Sequence, residues 1–246
     1  MDIRNRTAVI TGAAKGIGKA LVKAFAAKGA FVYGLDVDDE EGKKLQQEMG
    51  DCFCYLHADI SNEQEIENAL QTILAKHDRI DILINNAAVQ TQAPFAATTI
   101  ADFRKVININ LVGTFVCCRT FTEYMGDGSV VLNMLSVHSS VPRKNKYAYD
   151  ASKAGIEMLT KEMALDLSDR GIRVLGLSYG AVLTPMNADM MADPEIARAA
   201  AAKVPLHWVA EAEEIAASAL AVVEHFSAYS TGSIFTVDGG RSLTGC

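Results

Sequence analysis

Tyr149 and Lys153 stand four residues apart, and Ser136 lies thirteen positions before Tyr149. Residues at i and i+4 share one face of a helix, so this phenol and ammonium can meet. An ammonium beside a phenol favours the phenolate. A free phenol titrates near pH ~10, and bringing it to neutrality asks for roughly 4 kcal/mol of differential stabilisation. A cation in a partly dry cleft supplies energy on that scale. The set reads as a general base for an alcohol, with the Ser136 hydroxyl able to orient it. The same spacing also fits a surface turn carrying a chance Tyr and Lys, so the rest of the chain must decide.

A second group of residues suits a nucleotide. Thr11-Gly12-Ala13-Ala14-Lys15-Gly16-Ile17-Gly18 falls between an apolar run and an amphipathic stretch. Glycines there let the backbone approach a pyrophosphate, and a helix N-terminus offers unpaired N–H groups and positive potential. The spacing is Gly-x-x-x-Gly-x-Gly, which differs from the general dinucleotide fingerprint. Asp36 ends the next apolar run, eighteen residues past Gly18. A carboxylate there accepts from the adenosine ribose and repels a 2′-phosphate, which favours NAD over NADP. Lys15 pulls the other way, because a cation beside the turn could meet that phosphate. Asp36 could instead cap the helix that begins at Asp38 or Asp39. Asp59-Ile60 ends a third run and could hold the adenine, or Asp59 could cap the helix after Ser61.

These residues need a scaffold, and the pattern names one. Strand-length apolar runs at 7–11, 31–36, 52–58, 80–85, 130–135, 172–178 and 234–237 alternate with helical patterns. The helical patterns cover 17–28, 39–49, 63–77, 101–125, 149–170 and 211–225. Such alternation predicts an α/β, doubly wound fold: a seven-stranded parallel sheet flanked by helices. The 246 residues, half of them hydrophobic, predict one domain over 1–246 with a sizeable core. Residues 183–208 are Met-rich and interrupted by Pro185, Pro194 and Pro205. They follow a strand's carboxyl end, where ligands bind in such sheets, and form the candidate substrate lid or else an ordinary surface excursion.

Composition narrows the partners. A net charge of −7 argues against nucleic acid or an anionic membrane. No apolar run approaches the ~18 residues of a membrane span. The early first strand leaves no room for a signal peptide. Five cysteines, none with zinc spacing, read as reduced thiols of a cytoplasmic protein, with no metal expected.

Taken together, Thr11–Gly18, Asp59, Asn85-Asn86-Ala87, Asn110, Ser136, the Tyr149/Lys153 pair and Val237-Asp238-Gly239-Gly240 resemble the short-chain dehydrogenase/reductase family. The likeness runs over essentially the whole chain and implies a Rossmann-type fold. It implies a catalytic set of Asn110, Ser136, Tyr149 and Lys153. Tyr149 would take the hydroxyl proton while hydride passes to the nicotinamide. Lys153 would bind the nicotinamide ribose and depress Tyr149, Ser136 would hold the substrate oxygen, and Asn110 would support a water leading to solvent. NAD contacts would come from Gly12, Lys15, Gly16, Ile17, Gly18, Asp36, Asp59, Ile60, Asn86, Ala87, Val182 and Thr184, with Tyr149 and Lys153.

Within the family the chain is most similar to the glucose 1-dehydrogenase type, through Ser136-Val137-His138, Thr184–Asp189 and Ala192–Glu195. That likeness makes His138 and Asn187 candidate contacts for sugar hydroxyls, although His138 could equally cap its own loop. Three departures stand out: Ala88 where Gly is common, Leu175 where Asn is usual, and Tyr179-Gly180 where Pro-Gly is usual. The loop Arg143-Lys144-Asn145-Lys146 is unusually basic and could recognise an anionic group, with Arg143 as the leading contact, or could simply face water.

The resulting expectation is an NAD-dependent oxidoreductase acting on a hydroxyl of a sugar or related, possibly anionic, polyhydroxy compound. A reductase of ketones such as 3-oxoacyl thioesters or steroids is the alternative, and a non-catalytic nucleotide sensor is another. The family resemblance also implies a homotetramer or homodimer pairing the helices near 101–125 and 149–170.

Overall fold

A computed structural model describes residues 1–184 and 192–244. Its centre is a seven-stranded parallel sheet in the order β3-β2-β1-β4-β5-β6-β9. The strands are β1 (Thr7–Thr11), β2 (Phe31–Asp36), β3 (Phe53–His57), β4 (Ile82–Asn85), β5 (Val130–Met134), β6 (Arg173–Tyr179) and β9 (Ile234–Val237). β1, β4 and β5 are buried at every position. Both faces of the sheet are covered, so its strands read as near-continuous apolar runs rather than alternating ones. The order reverses between β1 and β4, which opens a crevice at their carboxyl ends.

Helices α1 (Gly16–Ala27) and α8 (Ala212–Glu224) pack on one face. Leu21, Phe25, Ile215 and Val223 meet the strand residues Ile10, Leu132 and Leu177 there. On the other face, α3 (Glu63–Leu74), α5 (Gly113–Phe121) and α6 (Tyr147–Asp166) cover Val9, Leu83 and Val131, with Ile66, Ile73 and Phe121 in the same core. α2 (Asp39–Met49) lies against β3 near the sheet edge. Leu175, the departure on β6, is fully buried among these apolar side chains.

The expected single helix over 101–125 is instead three pieces. α4 (Ile100–Ile107) runs into a π-helical turn, Asn108–Val112, and on into α5. A π-turn carries one residue more than an α-turn, and such insertions cluster at functional sites. α6 starts two residues before the expected Tyr149, with Lys146 in the preceding position.

The stretch expected as a lid begins at the last residue of β7 (Val182–Leu183), which pairs in parallel with β8 (Ala210–Glu211). Between them lies α7 (Pro194–Ala202), capped by Asp193, whose carboxylate accepts from the Glu195 N–H at 2.8 Å. Asn187 lies outside the described residues.

Candidate active site

Tyr149 and Lys153 occupy the first turns of α6, and Ser136 follows the carboxyl end of β5. Lys153 is 2 % exposed. Its Nζ donates to the Met134 carbonyl at 2.7 Å and lies 5.7 Å from the centre of the Tyr149 ring. Burial pushes the Lys153 ammonium down to about 8. Ser136 hydrogen-bonds the Tyr149 side chain and favours its ionisation, and its Oγ also accepts from the His138 N–H at 3.2 Å.

The sequence suggests that Lys153 depresses the Tyr149 phenol, yet burial dominates and pushes Tyr149 up to about 12. The reason is that a phenolate would lose its hydration here. The Lys153 ammonium, itself desolvated, is turned to a backbone carbonyl.

Asn110 sits in the π-turn and is completely buried. Its Oδ1 accepts from the Val89 N–H at 2.8 Å, while Nδ2 donates to the Val89 carbonyl at 2.9 Å and to Ser152 Oγ at 3.0 Å. Ser152 Oγ in turn donates to the Tyr149 carbonyl at 2.7 Å. Asn110 therefore ties the segment after β4 to the first turn of α6.

The glycine-rich turn is built around β1 and β4. Thr11 Oγ1 accepts from the N–H groups of Asn86 and Ala87, both at 3.0 Å. Asn86 Nδ2 donates to the carbonyls of Thr11 and Gly12, both at 3.0 Å. Gly12 and Gly16 have φ of 65° and 52°, a region that favours glycine. A Cβ on Gly18 would stand 1.8 Å from the Gly12 carbonyl oxygen. Ile17 is buried, anchoring the start of α1. No side chain caps that N-terminus, which leaves its first N–H groups for an anion.

Asp36 Oδ2 accepts from the Ala14 N–H at 2.9 Å and Oδ1 from the Asp38 N–H at 3.0 Å, fixing the carboxylate at the edge of this turn. Lys15 Nζ pairs with Asp38 at 2.6 Å, and the pair holds the lysine above and the carboxyl below their ordinary ranges. The helix cap is Asp38, which accepts from the Glu41 N–H, and not Asp36. These residues fit a dinucleotide: an uncapped helix end for phosphates and an oriented carboxylate for a ribose. Asp59 Oδ1 accepts from the Ser61 N–H and hydroxyl, at 2.9 and 2.8 Å, so that oxygen shapes its own turn. The neighbouring Ile60 is buried against Gly113. Val182 is buried and Thr184 half-buried, at the start of the 183–208 stretch.

The candidate substrate contacts divide. His138 Nδ1 meets the Val141 carbonyl at 2.9 Å, so it caps its own loop. Arg143 is exposed, and its N–H donates to Asp150 Oδ2 at 2.7 Å. Lys146 is the basic residue that turns inward, 4 % exposed, with Nζ 5.9 Å from the Tyr149 ring centre. Tyr179 also faces this region. It ends β6, its burial lifts its phenol well above the usual range, and the nearby Tyr149 adds to that shift. Sequence reasoning gave Tyr179 no role and counted Lys146 only among the cations of a basic loop able to meet an anion, with Arg143 ahead of it. The only signals were a charge run and a tyrosine replacing a proline.

Comparison with known proteins agrees with this geometry. A family model described as enoyl-(acyl carrier protein) reductase matches residues 12–242. The chain is 35 % identical over 249 residues to 3beta-hydroxysteroid dehydrogenase 1 of Eggerthella lenta, covering 98 % of this chain and 95 % of the relative. It is 32 % identical over 250 residues to glucose 1-dehydrogenase 2 of Bacillus subtilis, covering 98 % and 96 %. A solved structure from Brucella melitensis, a short-chain dehydrogenase/reductase named as a glucose/ribitol dehydrogenase, superposes with a TM-score of 0.92 at 26 % identity, covering 98 % of each chain. With a matched family model, a superposing fold and relatives aligned over nearly their whole length, this chain belongs to the short-chain dehydrogenase/reductase family of oxidoreductases.

Proposed function

We propose that the protein is an NAD-dependent dehydrogenase oxidising a secondary or anomeric hydroxyl of a sugar or related polyhydroxy compound. The observation that carries this reading is the Ser136–Tyr149–Lys153 cluster at the carboxyl edge of the sheet, on the same edge as the turn marked by Asp36. Bound nicotinamide supplies the hydride acceptor. Ser136 Oγ orients the substrate oxygen, and Tyr149 Oη takes the hydroxyl proton. Lys153 contributes a buried positive charge beside that phenol and a donor toward the nicotinamide ribose. Asn110 acts as a positioning residue, because its side chain is fully committed to Val89 and Ser152.

Asp36 supports NAD over NADP, since its fixed carboxylate would face a 2′-phosphate. Lys15 does not offset it, being engaged by Asp38. Residues 183–208 are proposed as the substrate lid, with Thr184 at its root and Asn187 within it. Cys52, Cys54, Cys117 and Cys118 are free thiols, which supports a cytoplasmic setting. A homotetramer or homodimer is supported by the exposed apolar side chains of Val112, Phe115, Met158 and Leu165 along α5 and α6.

A hydroxysteroid is the second reading, favoured by one local observation. Phe95 and Tyr147 stack edge-on at 5.3 Å and are both exposed beside α6, an apolar platform suited to a fused ring system.

The test is initial-rate reduction of NAD and of NADP with aldoses, sugar acids, polyols and hydroxysteroids. Turnover of sugars with NAD supports the first reading, and turnover confined to steroids the second. Tyr149→Phe should lower kcat by 10²-fold or more, with NADH affinity by fluorescence titration kept within threefold of wild type. Retained turnover in that variant would remove Tyr149 as the base. NADH binding without turnover of any substrate in either direction would favour a nucleotide sensor.

A further inference from the structure

A lysine side chain inside a protein needs a reason, because an ammonium taken out of water is destabilising unless something answers its charge. Lys146 is such a lysine. Asn145 takes a left-handed φ of 69°, and the residue that follows it is 4 % exposed although it belongs to a run of basic residues. Among the described residues, Lys146 Nζ reaches no carboxylate within ion-pair distance, and its hydrogen-bond partner is the side-chain carbonyl of Gln90. A neutral amide oxygen is a weak answer to a buried cation.

The other charged groups around it do not close the account. Asp150 lies on the next turn of α6, but its Oδ2 is taken by the Arg143 N–H, and its Oδ1 is buried with no partner. His138, Lys146 and Arg143 all lie close enough to Asp150 to favour its ionisation, so that carboxylate answers the Lys146 charge in part and from beyond ion-pair distance, while shared with two other basic groups. Arg143 adds further positive potential to Lys146. Lys153, also near the Tyr149 ring, is a second buried cation without a carboxylate partner among the described residues. The reaction centre is therefore flanked by two buried ammonium groups, 5.7 and 5.9 Å from one phenol ring.

The neutral Gln90 amide is a partner that a carboxylate could replace on this ammonium. It is exposed, on the irregular segment after β4, just past the Val89 backbone that Asn110 clamps from both sides. The clamp fixes the backbone beside the site.

Resting on the proposed dehydrogenase reading, we infer that Lys146 is a substrate anchor for a carboxylate carried by the same molecule as the reacting hydroxyl, the carboxylate replacing Gln90 Oε1 on the Lys146 ammonium. The substrate class is thus a hydroxy acid. A sugar acid and a ring-system acid present the same chemistry to this lysine.

The experiment measures binding separately from turnover. Calorimetric titration of the NADH-bound enzyme uses two matched pairs of probes: D-gluconate against D-glucose, and a 3-hydroxysteroid carboxylate against its methyl ester. At least one acid should bind more tightly than its neutral partner. Lys146→Met should weaken that acid by about 10- to 100-fold, the worth of one charge-assisted hydrogen bond. It should leave the neutral partner within threefold. Lys146→Arg should recover part of the loss, which guards against misfolding in the methionine variant. Gln90→Ala should hold or tighten acid binding, since it removes the competing oxygen. The pair that responds identifies the source of the carboxylate. The inference is overturned if neither acid is preferred, if Lys146→Met weakens acid and neutral partner equally, or if Gln90→Ala costs as much as Lys146→Met. Acid binding that depends on Lys146 without any NAD reduction would uphold the anchor and remove the dehydrogenase reading instead.

Discussion

Lys153 is a residue whose chemistry can be read from stability alone. Burial lowers it to about 8, against an ordinary value of 10.5. Between those two values the unfolded chain still holds a proton that the folded chain has released. Stability contributed by this group therefore rises with pH across that window, and below it the full cost of the buried charge is present. That cost is on the order of 3 kcal/mol. Lys153→Met lacks the titration. The melting temperature of the wild type minus that of Lys153→Met should climb as pH is raised from about 7.5 to about 10, an interval that stops where free tyrosines begin to ionise. A flat difference would mean that Lys153 titrates normally and is better hydrated than its position suggests. The residue scale is also where the sequence was least complete. The Tyr149 and Lys153 pairing was legible because helical spacing places i and i+4 together. Lys146 was legible only as one cation of a loop that could meet an anion or face water, because nothing in the letters says that Asn145 will turn this cation inward rather than Arg143.

At the scale of elements, the glycine turn is the sharpest claim. A Cβ on Gly18 would strike the Gly12 carbonyl, which belongs to rigid backbone held by Asn86. Gly18→Ala should lower the melting temperature by several degrees, in line with overpacking costs of about 1–3 kcal/mol. It should also weaken NADH binding at least tenfold by fluorescence titration. Gly126→Ala is the matched control: its Cβ meets nothing within 4 Å, and both readouts should stay at wild-type values. The strands were legible almost to the residue, with β1, β2 and β9 at their expected limits: β1 and β2 are apolar runs buried along most of their length, while β9 is a short apolar run only half-buried at the sheet edge. The π-turn was not. An inserted residue leaves the local composition helical, and its evidence is a hydrogen-bond register that only the folded chain displays.

For the whole molecule, the exposed apolar side chains predict association. Val112 and Phe115 are 42 % and 50 % exposed, and Met158 and Leu165 are 57 % and 74 % exposed. Each pair lies on one helical face, three and seven residues apart. Light scattering after size exclusion should find the wild type as a dimer or tetramer, and Phe115→Asp should shift it to a smaller species. A wild type that elutes as a monomer would contradict the proposed assembly. Phe121 and Ile156, apolar residues of the same two helices, lie in the core instead. Helical period alone could not say which side of α5 or α6 faces inward.

The π-turn links these scales. Each residue of an α-helix advances the side chains by about 100°. Removing one residue from Asn108–Val112 would leave a continuous rod of nearly the same length, yet everything beyond it would be rotated by that angle. Asn110 could keep its grip on Val89, or Phe115 could keep its outward bearing, but not both. The extra residue thus works as a phase setting between catalytic cleft and outer surface. A lineage that lost it would have to rebuild the pocket and the proposed subunit contact together.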